Sequence, residues 1–186
     1  MTSLAVLAAV LFKPDAPAPA VVETLAHALA PWQSVYSDSK VLATGVVAVH
    51  LVALLFGGGL AVAADRATLR AIRTGAAADD EARRLLAELG AVHRPVLIAL
   101  AVLFVSGVLL AAADVKTYAL APVFWLKLAL VALLLANGVV LERAESGLRH
   151  SAGDAGRWRR LRAATWASLA LWTATTVVGV ALTNAA

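Results

Sequence analysis

The stretch Val41–Asp65, VLATGVVAVHLVALLFGGGLAVAAD, decides the fold. It has no charged residue between Lys40 and Asp65, and at 1.5 Å of rise per residue it is long enough to cross the hydrocarbon core of a bilayer. One imidazole, His50, lies in its middle, and the run Gly57–Gly58–Gly59 follows. An ionisable side chain at membrane depth is costly, so its presence marks a candidate site. Residues seven apart return to nearly the same side of a helix, which puts His50 and Gly57 on one face, with Ala43, Val46, Ala53 and Leu54 beside them.

Working outward, three more apolar runs match this one. They cover Pro95–Ala113, Leu120–Leu141 and about 163–183. Hydrophobic residues make up 61% of the 186 and charged residues 15%, with a mean hydropathy of +0.82. A water-soluble globule of that composition would have too little polar surface to cover itself. The expected fold is therefore all-α, an integral membrane four-helix antiparallel bundle over residues 41–186. Residues 1–40 form a separate non-cytoplasmic interfacial segment. Its apolar start, residues 1–12, is too short to span, and Val21, Val22, Leu25 and Leu29 give the stretch after the Pro/Ala linker one apolar side. Pro31 is expected to stop that helix, leaving Trp32 and Tyr36 to anchor at the lipid headgroups and His27 in solvent.

All twelve arginines fall in the two connections 65–94 and 142–162. The positive-inside rule places both connections in the cytoplasm of a bacterial inner membrane, with both termini on the other side. The net charge of +4 and pI near 10.0 follow from this topology, so the partner they imply is the lipid bilayer and not nucleic acid. Cysteine is absent and the one methionine is the first residue, which removes thiolate metal sites, disulfides and soft sulfur ligands. No Walker A pattern, GxSxG elbow or pair of metal ligands at i, i+4 occurs.

Counting in from the ends opposite the arginines, His50 lies roughly 14 Å deep and Lys127 roughly 10 Å deep; Ser106, Thr175 and Thr176 lie roughly 12 Å deep. Four helices thus bring polar groups to one slice of the outer half of the bundle. Each also has a purely structural use: serine and threonine bond to their own helix, lysine snorkels, and glycine lets helices approach. His93, at the opposite end of its span, is roughly 20 Å from the His50 level and is expected at the interface. His150 lies in a basic loop and is expected in solvent.

The segment VHLVALLFGGGLAVAADRATLRA, residues 49–71, resembles the first helix of bacterial four-helix membrane families of unknown function. The segment APVFWLKLALVALLLANGVVLE, residues 121–142, is similar to their helix with an aromatic residue, a lysine, an apolar run and an asparagine. The copper-resistance D domain and the HemJ-type protoporphyrinogen oxidase look similar in the same two places. That resemblance implies haem b as the cofactor, with His50 and Lys127 at the matching positions and His50 as its metal ligand; helix face and depth add Gly57 and Thr176 to the candidate cofactor-binding set. Two functions follow as expectations: a b-haem-associated redox protein, or a non-catalytic accessory subunit that meets other membrane subunits through its N-terminal segment.

The topology has a direct test, because the natural chain offers no thiol. In intact cells an impermeant thiol reagent is expected to label Thr117→Cys and to leave Ser151→Cys unlabelled. The reverse pattern would invert the orientation.

Overall fold

The computed structural model describes residues 19–74, 80–150 and 154–185. The readings above that fall on residues 1–18, on the gaps 75–79 and 151–153, and on the side chain of His150 lie outside the described residues. Six helices run in the order α1 (Ala20–Asp38), α2 (Lys40–Thr74), α3 (Asp80–Ala113), α4 (Val115–Leu120), α5 (Pro122–His150) and α6 (Ala155–Ala185). Four of them, α2, α3, α5 and α6, are long and apolar enough to cross a membrane.

Local chemistry sets the breaks. Ser39 interrupts α1 and α2, and its hydroxyl caps α2 by accepting from the Leu42 N–H at 3.2 Å. Asp114 starts α4 in the same way, accepting from Thr117 N–H at 3.2 Å. Pro122 opens α5, a position where the missing N–H costs nothing. Asp154 accepts from the N–H groups of Gly156 at 2.8 Å and Arg157 at 3.3 Å, which starts α6. Those two N–H groups, Arg157 first, hold the exposed Asp154 carboxyl below the usual carboxylate range. Arg157 also bonds the Gly147 carbonyl, tying the start of α6 to the last turns of α5.

The bundle is closed mainly by two pairs, α2 against α3 and α5 against α6, joined where α2 packs on α6; α3 touches α5 only slightly. With 35 residues, α2 is about 52 Å long, well beyond a ~30 Å hydrocarbon layer. The surplus projects at the arginine-rich end, and there the helices form a tight core of Leu86, Leu89, Leu148, Trp158 and Leu161. Elsewhere apolar side chains turn outward, among them Leu55, Phe56, Phe104, Leu133 and Val177. Such a band needs lipid around it.

Inside the membrane segment, small residues set the packing. A Cβ on Gly57 would lie 2.8 Å from that of Ala99 on α3, and one on Gly58 would lie 3.3 Å from the Trp172 ring on α6. At Gly59 nothing lies within 4 Å. The glycine run is therefore a contact point for two neighbouring helices at its first two positions only.

Helix α1 departs from expectation. It runs unbroken through Pro31, where a stop was expected. Proline removes one N–H and crowds the preceding turn. Opposing that cost, the next two residues dock on α3: the Trp32 indole N–H donates to the Leu109 carbonyl at 3.0 Å, and the Gln33 amide donates to the Ala112 carbonyl at 3.3 Å. The last carbonyls of a helix lack intrahelical partners, so Gln33 supplies one at the end of α3. Trp32 thus gives its indole N–H to α3. The docked face is Val22, Ala26, Leu29 and Gln33, while Val21 and Leu25 point outward. His27 is exposed, as expected. Lys116 on α4 pairs with Glu23 at 2.7 Å, a half-exposed contact of small energetic weight. Beneath α1, burial raises the Tyr118 phenol above its ordinary value, with Asp114 and Tyr36 adding to it.

Gly57→Ala is expected to force α2 from α3 and lower the thermal midpoint in detergent. Gly59→Ala, with open space and better helix propensity, is expected to leave it level or raise it. Leu161→Ala, at a fully buried site, is expected to cost about 2–5 kcal/mol in the same melt.

Candidate functional site

The slice of polar residues read from the sequence is present as a set of neighbours. Ser106 on α3 is 3% exposed, and its Oγ lies 2.9 Å from His50 Nδ1 on α2. The acceptors around the hydroxyl favour one arrangement of the proton. A serine hydroxyl has one hydrogen, and Ser106 Oγ is 2.6 Å from the Val102 carbonyl and 3.2 Å from that of Leu103, groups that only accept. With its hydrogen directed there, Ser106 Oγ accepts from His50 Nδ1–H. Nε2 then keeps its lone pair. The ring edge rests on Gly107, where a Cβ would come within 3.4 Å of Cε1.

Lys127 reaches this layer from α5. Its ammonium lies against Gly179 of α6, where a Cβ would sit 3.6 Å from Nζ, and it is close enough to act electrostatically on the imidazole. Both side chains are half-buried. Lys127 has no carboxylate partner among the described residues. Of the two threonines at this depth, Thr176 gives its hydroxyl to the Trp172 carbonyl at 2.9 Å. Thr175 instead is buried in the bundle, and among the described residues its Oγ1 has no hydrogen-bond partner. Gly57, on the His50 face two turns away, has its open side filled by Ala99 and Trp172. The structure therefore brings His50, Ser106 and Lys127 into one layer; it sets Gly57 in the helix contact and engages Thr176 with its own backbone.

A second polar layer was not singled out in the sequence. Asp65 on α2 is 6% exposed, Glu145 on α5 is 6% exposed, and Ser168 and Thr165 on α6 are buried between them. Ser168 and Glu145 both lie near enough to act on the Asp65 carboxyl. Among the described residues its Oδ2 is buried without a hydrogen-bond partner. His93 on α3 completes the ring of helices, with Nδ1 3.8 Å from Glu145 Oε2. Among the described residues, no three His, Asp or Glu side chains are placed to share a metal ion. A signal for this layer exists in the sequence: Gly57, Asp65, Thr68 and Ile72 continue the inward stripe of α2 beyond the apolar run.

Fold and site together define a multi-pass α-helical membrane protein. In comparisons with known proteins, no family model, curated protein or solved structure matches the chain.

The His50–Ser106 contact can be measured by a double-mutant cycle. His50→Phe and Ser106→Ala are each expected to destabilise the bundle, and the pair together less than the sum, with a coupling of about 0.5–1.5 kcal/mol. Simple additivity in a detergent melt would mean that the contact does not form.

Proposed function

We propose that this chain is a b-haem-associated redox protein of the bacterial cytoplasmic membrane, with its arginine-rich end in the cytoplasm and its site in the outer half of the bundle. The observation that carries the reading is the state of His50. A metal-ligating histidine characteristically donates its second ring N–H to a neighbouring oxygen, which fixes tautomer and orientation. Ser106 takes that role at Nδ1, and Nε2 would supply the electron pair to the iron.

The donor set fits the group on two counts. His50 supplies one nitrogen ligand, and Lys127 is a half-buried cation without a carboxylate partner among the described residues, as an anionic propionate would require. Haem, when bound, supplies one-electron chemistry. The chain's own contribution is to hold the imidazole in one tautomer, to offer a compensating positive charge, and to exclude water with the apolar faces of α2 and α6. Gly57 contributes through the α2–α3 approach, and Thr176 through its own helix.

An accessory-subunit role draws support from a different place. Val21, Leu25 and Val35 stay exposed on the outer side of α1 and would suit a neighbouring subunit. A spectrum separates the two readings. Protein purified from its native membrane is expected to show a Soret band that His50→Ala abolishes and that Lys127→Ala weakens or shifts in potential. A folded protein without the band leaves the accessory role as the better reading.

A further inference from the structure

The carboxyl of Asp65 is enclosed on every side by the bundle, and its surroundings are unusual for an anion. It is 6% exposed, whereas its neighbours Arg66 and Arg70 point outward and make no ion pair with it. Ser168 brings a hydroxyl near it from α6. Among the described residues, Oδ2 meets no donor. From α5 the charged group facing it is Glu145, of the same sign. From α3, among the described side chains, it is His93, which stands beyond Glu145 and is partly open to solvent at 31% exposure. α6 brings only the hydroxyls of Ser168 and Thr165 to this layer, since Arg162 is exposed. The layer is closed toward the membrane by Trp172 against Gly57 and Gly58, and toward the arginine-rich end by the cluster of Leu86, Leu89, Leu148, Trp158 and Leu161.

We propose that Asp65 is a proton-binding carboxyl, loaded from the arginine-rich side through His93 and Glu145. A carboxylate sealed in this way beside a second carboxylate is held by binding a cation, and the smallest cation fits best. A metal ion would need a third ligand, and the described His, Asp and Glu side chains are not placed to give one. A proton needs only the bare oxygen. The step balances without a co-reactant: a hydronium ion of the bathing water gives its proton to the partly exposed imidazole of His93 and is left as water, the imidazolium passes a proton to Glu145 across the 3.8 Å pair after a small side-chain movement, and Glu145 passes it to Oδ2 of Asp65. The imidazole is restored, Glu145 is again a carboxylate, and the Asp65 carboxylate becomes a carboxylic acid. The inference does not depend on haem, since it uses none of the residues around His50.

The test is infrared spectroscopy of the full-length protein in lipid nanodiscs, with circular dichroism to confirm that each variant is folded. Wild-type protein is expected to show the carbonyl stretch of a protonated carboxylic acid in mildly acid buffer, shifting in deuterated water and fading as the pH is raised. Asp65→Asn, which keeps the shape and the Ser168 contact, is expected to delete that band; Asp65→Glu is expected to move it. His93→Phe is expected to keep the band and slow its deuterium shift at least tenfold. Folded wild-type protein with no band sensitive to Asp65→Asn would overturn the proposal. So would loss of the band on adding sodium alone, because the site would then hold a metal cation. An unchanged exchange rate in His93→Phe would overturn the route.

Discussion

The close approach of α2 to α3 and α6 at Gly57 and Gly58 governs the rest of the bundle. A missing Cβ lets Ala99 come nearer than two side-chain carbons could, and Trp172 fills the adjoining space. His50 lies two turns from this point in one direction and Asp65 about two turns in the other, so the helix separation fixed there is inherited by both polar layers. With the helices held apart, His50 would lose Ser106 and the Asp65 carboxyl would lose its seal. The glycines thus matter for both layers through spacing, without touching a polar group in either.

The distribution of buried residues follows from the change of solvent along the helices. Where lipid surrounds the bundle, an outward leucine gives up nothing by leaving the interior, and helices associate through small residues, close packing and hydrogen bonds. Where the helices emerge, water returns and burial of apolar area becomes favourable. Leu148 and Leu161, which expose no surface at all, lie in the emerging part. The arginines stand around this part of the bundle. They solubilise its outside while the leucines and Trp158 close its inside, giving α5 and α6 a firm base from which to hold Lys127 and Thr175 deeper in the membrane.

Much of this arrangement could be read from residue order alone. Apolar length gave the four spans, and counting 1.5 Å per residue from each end put His50, Ser106 and Lys127 at one depth, where the structure has them as neighbours. Depth is a one-dimensional property, and a sequence records it well. Facing is harder. Thr175 and Thr176 share a depth, yet one is buried without a partner and the other bonds its own backbone, because a single residue step turns the helix by about 100°. The acidic layer was missed for another reason. Asp65 and Glu145 looked like the charges that end an apolar run, a correct reading of where the spans give way to polar sequence that is silent about how far the packed bundle continues. Pro31 failed in the same manner: the local rule predicts a break, and contacts made with a helix distant in sequence outweigh it.

Helix α6 links the two polar layers and also separates them. Its inward positions Trp158, Leu161, Thr165, Ser168, Trp172, Thr175 and Leu182 recur at intervals of three, four or seven, so one stripe faces the interior along almost the whole helix. Ser168 and Thr175 on that stripe are one heptad apart, and Trp172 lies between them. Two buried oxygens without partners among the described residues flank this indole, Thr175 Oγ1 on the His50 side and Asp65 Oδ2 on the other. A continuous file of hydroxyls and carboxyls would let protons run between the sides of the membrane, dissipating any gradient they share. The large ring, packed against Gly57 and Gly58, stands on the α6 stripe between the two layers. The tightest helix contact therefore lies between them and sets the spacing of both.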